Sequence, residues 1–258
     1  MALDEILLLV NDNTVVPLNV QLVEQAWALG LAPRAADWAF RQKCAMVAFV
    51  DYAQFDPDDP ATAEILSLGN ISAVAASSIA MDAVAASQLA LDAITSSEIA
   101  MKEICENDNG IAKYACGVAG YDATTIASMA ELAASSSAMD AVTASTVAMD
   151  AVTASTVAMD AVSASKIARD AIFAESSALT KVRNSSMAIG KFAAGCAGLE
   201  PSAYANIAAV ASASAAMSAI AASSTAMSAI AASSTAMSAI AASSTAMSAI
   251  AASSTAMS

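Results

Sequence analysis

The densest acidic cluster in the chain is Phe55-Asp-Pro-Asp-Asp-Pro60, where Asp56, Asp58 and Asp59 lie within four positions. Carboxylates at that spacing are the raw material of a calcium loop. An EF-hand also needs a glycine at its sharp turn and a closing glutamate, and neither is in place, so the segment reads as a capped, solvent-facing turn. Serine is abundant, but the chain has no histidine; a Ser-His-Asp triad is impossible, and the GxSxG elbow is absent. Cys44, Cys105, Cys116 and Cys196 form no CxxC. They read as small buried thiols rather than a zinc site or disulfide framework. Gly117-Val-Ala-Gly120 and Gly195-Cys-Ala-Gly198 lack the GxGxxG and GxxxxGK[ST] patterns that cradle phosphates, and read as helix ends. Lys102, Lys113 and Lys191 are scattered and read as helix-surface charges. No catalytic, metal-binding or cofactor-binding residue is expected, and the chain reads as a non-enzyme.

What the residues do carry is repetition, the first thing to look for in such a composition. AMSAIAASST runs from Ala216 to Thr225 and recurs without change through Thr255. Diverged copies precede it: AMDAVTASTV at 138–147 and 148–157, AMDAVSASKI at 158–167 and ARDAIFAESS at 168–177. Each decad holds a pair of large residues three apart. The pairs are Met81/Val84, Leu91/Ile94, Met101/Ile104, Met139/Val142, Met149/Val152, Met159/Val162, Met217/Ile220, Met227/Ile230, Met237/Ile240 and Met247/Ile250. They read as a packing seam.

The register of the pairs slips by two residues twice, and both slips have one cause. Residues 111–139 align without gaps on 189–217, with 12 of 29 positions identical at an offset of 78. Decads therefore alternate with a spacer carrying GxAG. Gly120 and Gly198 sit where a helix C′ glycine belongs, and Asp122 and Glu200-Pro201-Ser202 follow as helix-start signals. The spacer reads as helix, tight turn, helix. The array stops in mid-unit at Ala256-Met257-Ser258, so the chain is expected to be part of a longer protein. The division expected is a head (1–69), decads (70–110), spacer (111–138), decads (139–188), spacer (189–216) and decads (217–258).

Three folds compete for the decad. On a continuous helix, ten residues advance the Met/Ile stripe by 1000°, a backward slip of about 80° per repeat, too steep for an ordinary coiled coil. A β-solenoid or fibrous trimeric β-structure would place Met and Ile on opposite faces and build strands from alanine, a poor strand former. It stays as the alternative. Short helices fit best. Ser-Ser-Thr supplies N-caps once per repeat, the two large residues share one face, and Asp82, Asp140, Asp150, Asp160 and Asp170 would lie near helix N-termini. Such helices are too short to stand alone and must stack on their neighbours. The expected fold is mostly α: a small helical head, then a decapeptide-repeat rod of stacked short helices.

Composition limits the partners. Net charge is −14, yet no charged residue occurs from Pro201 onward. An acidic chain without a basic patch argues against nucleic acid and anionic membranes. An uncharged surface is poorly soluble, so that segment is expected to pack against copies of itself or other chains. Every repeat interrupts its apolar residues with Ser or Thr, so no membrane span is expected. Ile6–Val10 follows acids rather than the bases of a secretory signal. The head holds aromatic mass that the repeats lack, and Trp27, Trp38, Phe40 and Phe49 are its docking candidates.

AMDAVTASTV, AMSAIAASST and the GLEPSAYANIAAVAS spacer resemble the Ala/Ser/Met decad arrays of tail-fibre-like proteins of tailed bacteriophages, over about Ile71 to Ser258. The resemblance implies a virion fibre, usually a homotrimer, located on the tail or a related appendage. Its N-terminal part would anchor on tail or baseplate proteins, and a C-terminal part beyond this chain would meet a host receptor. It supplies no catalytic residue. Two other classes stay open: a bacterial surface adhesin or filament subunit, and an ice-binding array, against which no T-x-T pair recurs.

Overall fold

The structure, a computed structural model, describes Glu64, Ile65, Leu68 and residues 71–257. Apart from Glu64, Ile65 and Leu68, the head, with Trp27, Trp38, Phe40, Phe49, Cys44 and the Phe55–Pro60 turn, lies outside the described residues. Of the described residues 83% are helical and none is in a strand. The fold is mostly α, built of short stacked helices. The chain divides into two compact units, Met1–Ala127 and Ser128–Ser258.

The first unit contains α1 (Ile71–Ala76), α2 (Ser78–Ala86), α3 (Gln88–Thr95), α4 (Glu98–Glu106), α5 (Asp108–Val118) and a 3-10 turn, Ala123–Thr125. The second opens with α6 (Met129–Ala134), α7 (Ser136–Ala144), α8 (Thr146–Ala154), α9 (Thr156–Ala164), α10 (Lys166–Ala174), α11 (Ser176–Asn184) and α12 (Ser186–Cys196). After a 3-10 turn at Pro201–Ala203 come α13 (Ile207–Ser212), α14 (Ser214–Ala222), α15 (Ser224–Ala231), α16 (Ser234–Ala241), α17 (Ser244–Ala251) and α18 (Ser254–Met257).

Most decads are a nine-residue helix plus one extended residue; in α3 and α15–α17 the helix is eight residues long and one more residue precedes the extended serine. Ser145 ends α7 and starts α8 with φ −94° and ψ 116°, and every polar group it owns is used. Its N–H donates to Val142 O at 3.1 Å and its carbonyl accepts from Met149 N at 3.0 Å. Its hydroxyl accepts from Ala148 N at 3.2 Å. The single residue thus serves the orphan groups of two helix ends. Ser77, Ser87, Ser97, Ser135, Ser155 and Ser165 repeat the arrangement. Asn107 and Glu175 substitute for serine, and Ala213 holds the same conformation without a side-chain cap.

One extended residue between helices forces a sharp turn, which measures 100° between α14 and α15. Turns of that size bring the fourth helix back over the first. Within the first unit α1 stacks on α4 and α2 on α5; within the second, α6 stacks on α9, α7 on α10, α8 on α11, α9 on α12 and α14 on α17. Most stacked helices begin 30 residues apart, three decads to a turn of the coil, and side chains bond from turn to turn across 31 or 32 residues.

The aspartates are not at helix N-termini. Because each helix starts one residue after the capping serine, Asp82, Asp140, Asp150, Asp160 and Asp170 fall on the fifth helical residue, and none of their helices has an acid in its first turn.

Candidate functional site

The feature from which any function must be built is the seam between successive turns of the coil. Met81, Val84, Leu91, Ile94, Ile104, Met139, Val142, Met149, Val152, Met159, Val162, Met217, Ile220, Ile230 and Ile240 are buried in it. Met101, Met227 and Ile250 are half-buried, while Met237 and Met247 are 43% and 49% exposed. The seam therefore does not run evenly through the last block. Sequence reasoning missed the alanine before each methionine. Ala80, Ala138, Ala148, Ala158, Ala216, Ala226, Ala236 and Ala246 are all fully buried. This alanine is the third helical residue, and in all of these but Ala216 its N–H meets the capping serine. A larger side chain there would hold adjacent turns apart.

The GxAG spacers fill two roles with their two glycines. Gly120 and Gly198 have φ of 69° and 74°. Tyr121 N donates to Cys116 O and Leu199 N to Ala194 O, both at 2.9 Å; Gly120 N and Gly198 N donate to Gly117 O and Gly195 O. That is the Schellman pattern, and only glycine enters its left-handed residue without strain. The first glycine serves close approach. A Cβ on Gly117 would lie 2.9 Å from the Cα and carbonyl of Ala85, and one on Gly195 would overlap Ser163 O. These contacts seat α5 on α2 and α12 on α9. Asp122 then caps the first 3-10 turn through Thr124 N at 3.0 Å, whereas Glu200 makes no such backbone bond.

Lys113 and Lys191 are not surface charges. Their side chains are 1% and 2% exposed and pair with Asp82 and Asp160, one turn of coil earlier. Each ammonium also donates to the carbonyl that opens the 3-10 turn, Ala123 O at 3.0 Å and Pro201 O at 3.5 Å. A buried ammonium is tolerable only when so satisfied. All three members recur at the 78-residue offset, as do Gly117/Gly195 and Ala85/Ser163. The offset is thus a period of contacts as well as of sequence. Where Tyr114 OH meets Thr95 Oγ1 at 2.6 Å in the first unit, the equivalent positions in the second hold Phe192 and Phe173, with ring centroids 5.3 Å apart. Packing volume is kept while the hydrogen bond is replaced by an aromatic contact.

Polar groups elsewhere also stitch turn to turn. Ser165, Ser243 and Ser253 donate their hydroxyls to Ala133 O, Ala211 O and Ala221 O at 2.5–2.6 Å, each 32 residues back. Lys181 pairs with Asp150. Across the second spacer Ser233 donates to Arg183 O at 2.6 Å, and Arg183 donates to Ser228 O and Ala229 O at 2.9 and 3.1 Å. Arg169 covers Ser163 O and Ala164 O at the end of α9. Lys102 and Lys166 make exposed i,i+4 pairs with Glu106 and Asp170, worth little.

The remaining reactive groups are subdued. Cys116 is buried and Cys105 and Cys196 are half-buried, none in a disulfide; burial pushes their thiols up to about 12, 11 and 11, so they stay protonated and weakly nucleophilic at neutral pH. Among the described residues no group of three His, Cys, Asp or Glu side chains is placed to hold a metal ion, and no single helix is long and apolar enough to cross a membrane. No protein-family model matches the chain, and no curated protein matches it. Lys113, Lys191, Ser165, Ser233, Ser243 and Ser253 are thus spent on contacts between turns. What the arrangement does physically is hold one turn on the next.

Proposed function

We propose that the chain is a structural fibre component, a length of stacked coil that separates two attachment points, and specifically a tail-fibre-like virion protein of a tailed bacteriophage. The observation that carries the reading is the investment of the side chains. Side chains that another protein would present to a ligand are bonded between turns: Lys191, Lys181 and Ser165 reach Asp160, Asp150 and Ala133 O on the turn before, and Arg183 reaches Ala229 O on a later one. An array whose turns differ in sequence but repeat one contact set extends in length without new design. The Ala/Ser/Met decads and GxAG spacer supply the phage resemblance. In this proposal residues 1–69 grip tail or baseplate proteins, the coil gives reach toward the host for adsorption, and the fibre is a homo-oligomer, a trimer by the same resemblance. The protein is not an enzyme in this reading.

The test is immuno-electron microscopy of phage particles with antibody raised against residues 1–69. Label at the tail or baseplate is the expected result, and label at a collar or capsid vertex moves the attachment point. Unlabelled particles, with the protein found on cell surfaces, would replace the fibre by an adhesin.

A further inference from the structure

One decad breaks the seam. The position held by Met, Leu or Ile in the other repeats is Arg169 in α10, and its equivalent at the 78-residue offset is Leu91, a side chain buried in the seam. A guanidinium cannot fill that slot as leucine does, because it must keep acceptors or water. Arg169 is half-buried and turns to the end of α9, where Nη1 donates to Ser163 O and Ala164 O at 2.6 and 3.0 Å. Both bonds pass through that one nitrogen, so Nε and Nη2 have no acceptor among the described residues. The spacer departs from its first copy as well. Asp122 caps a 3-10 turn, whereas Glu200 makes no cap bond; its Oε1 accepts from Ser202 Oγ at 3.1 Å, and the side chain is exposed. Arg169 and Glu200 line one cleft of about 390 Å³, with Gly195, Gly198, Leu199 and Pro201 among its other walls. The two charges share that cleft without forming an ion pair with each other.

We infer that this cleft is a binding site for a small zwitterion of amino-acid size, its carboxylate held by Arg169 and its ammonium by Glu200. Charge selects the class. A simple anion drawn to Arg169 meets the Glu200 carboxylate, and a simple cation drawn to Glu200 meets the guanidinium, so each is opposed by one wall. A molecule carrying both charges satisfies both walls. The free edge of the guanidinium offers donors in the planar fork that suits a carboxylate. Leu199 and Pro201 supply apolar cover for the carbons between the two charges. The volume lies in the range of small-molecule pockets, about 300–1,000 Å³. The first spacer lacks the cation, since Leu91 stands where Arg169 does, so the chain carries this site in its second unit and not at the equivalent place in its first. The inference goes beyond the fibre reading and is independent of it, because its test uses purified protein and no virion.

The experiment is isothermal titration calorimetry of the full chain with glycine and γ-aminobutyrate, which hold their two charges close together and farther apart. Acetate and propylammonium serve as the two half-ligands. At least one zwitterion should saturate a single site per chain in the millimolar range, with each half-ligand at least about tenfold weaker. Arg169→Leu installs the residue of the first unit and should abolish the zwitterion's saturable heat. That change also removes the bonds to Ser163 O and Ala164 O, so Glu200→Gln is the second variant. On an exposed side chain it should leave the thermal melt unchanged, weaken the zwitterion about tenfold and strengthen acetate, from which it lifts the repulsion. Saturation by neither zwitterion would overturn the inference. So would acetate binding as tightly as the zwitterion, which would mean a plain anion site, or a zwitterion bound equally well by Glu200→Gln.

Discussion

At Lys191 three facts meet: a side chain removed from water, an aspartate one turn earlier, and a carbonyl at the start of a 3-10 turn. Replacing Lys191 by Met leaves Asp160 partnerless, but that carboxylate keeps access to water, so the cost should fall below the full penalty of a broken buried pair, at about 2 kcal/mol. Urea unfolding checks it, and Lys191→Met with Asp160→Leu should recover most of the loss. Gly195→Ala drives a methyl into the carbonyl of Ser163 and should cost about 3 kcal/mol by overpacking. Ser163 offers the opposite case. Its hydroxyl is buried without a partner, and the equivalent residue in the first unit is Ala85, so Ser163→Ala should leave the midpoint unchanged or raise it. The thiols set a pH limit. Folded pKa values of about 11 to 12 lie above the ordinary 9.0, so the unfolded chain ionises first. Their contribution is fully present below pH 9 and is lost as pH rises to about 12. Thermal melts across that range should show stability falling with pH, and falling less in a chain with Cys116→Ala.

At the scale of the element, the hinge residue decides the architecture. Ser165 caps α10 through Ala168 N at 3.3 Å and donates to Ala133 O one turn back. Ser165→Ala removes both bonds and should cost about 1–2 kcal/mol, seen as a lower urea midpoint with helicity retained. Ala213, already without a cap bond, marks a hinge where Ala213→Ser should stabilise. Much of the element was legible beforehand. Serine recurring every ten residues ahead of a hydrophobic pair predicts short capped helices, and GxAG predicts the helix end at Gly120 and Gly198. The position of Asp150 was misread because cap chemistry names the capping residue but not the start of the hydrophobic pair, which lies four residues into the helix. The burial of Lys113 and Lys191 was hidden for another reason. Their partners lie 31 residues upstream, a separation set by the turn angle at the hinges, and single-residue pattern reading contains no such angle.

At the scale of the whole molecule, a chain poor in bulky residues is held by returning on itself every three helices. Alanine at the third helical residue allows the close approach, serine and lysine bond across it, and the spacer glycines let one helix seat against another's backbone. The uncharged decads, expected to need copies of themselves, find them in the same chain, where α14 and α17 stack. The head and its candidates Trp27, Trp38, Phe40 and Phe49 lie outside the described residues, so the fibre's attachment rests on the antibody experiment. The coil itself can be tested on purified protein by zero-length carbodiimide coupling, with mass spectrometry of an equal mixture of isotopically light and heavy chains. The account predicts amide links joining Lys181 to Asp150, Lys191 to Asp160 and Lys113 to Asp82, each spanning 31 residues and each within one chain. Links between light and heavy chains at these positions, or only the i,i+4 links of Lys102 to Glu106 and Lys166 to Asp170, would contradict it.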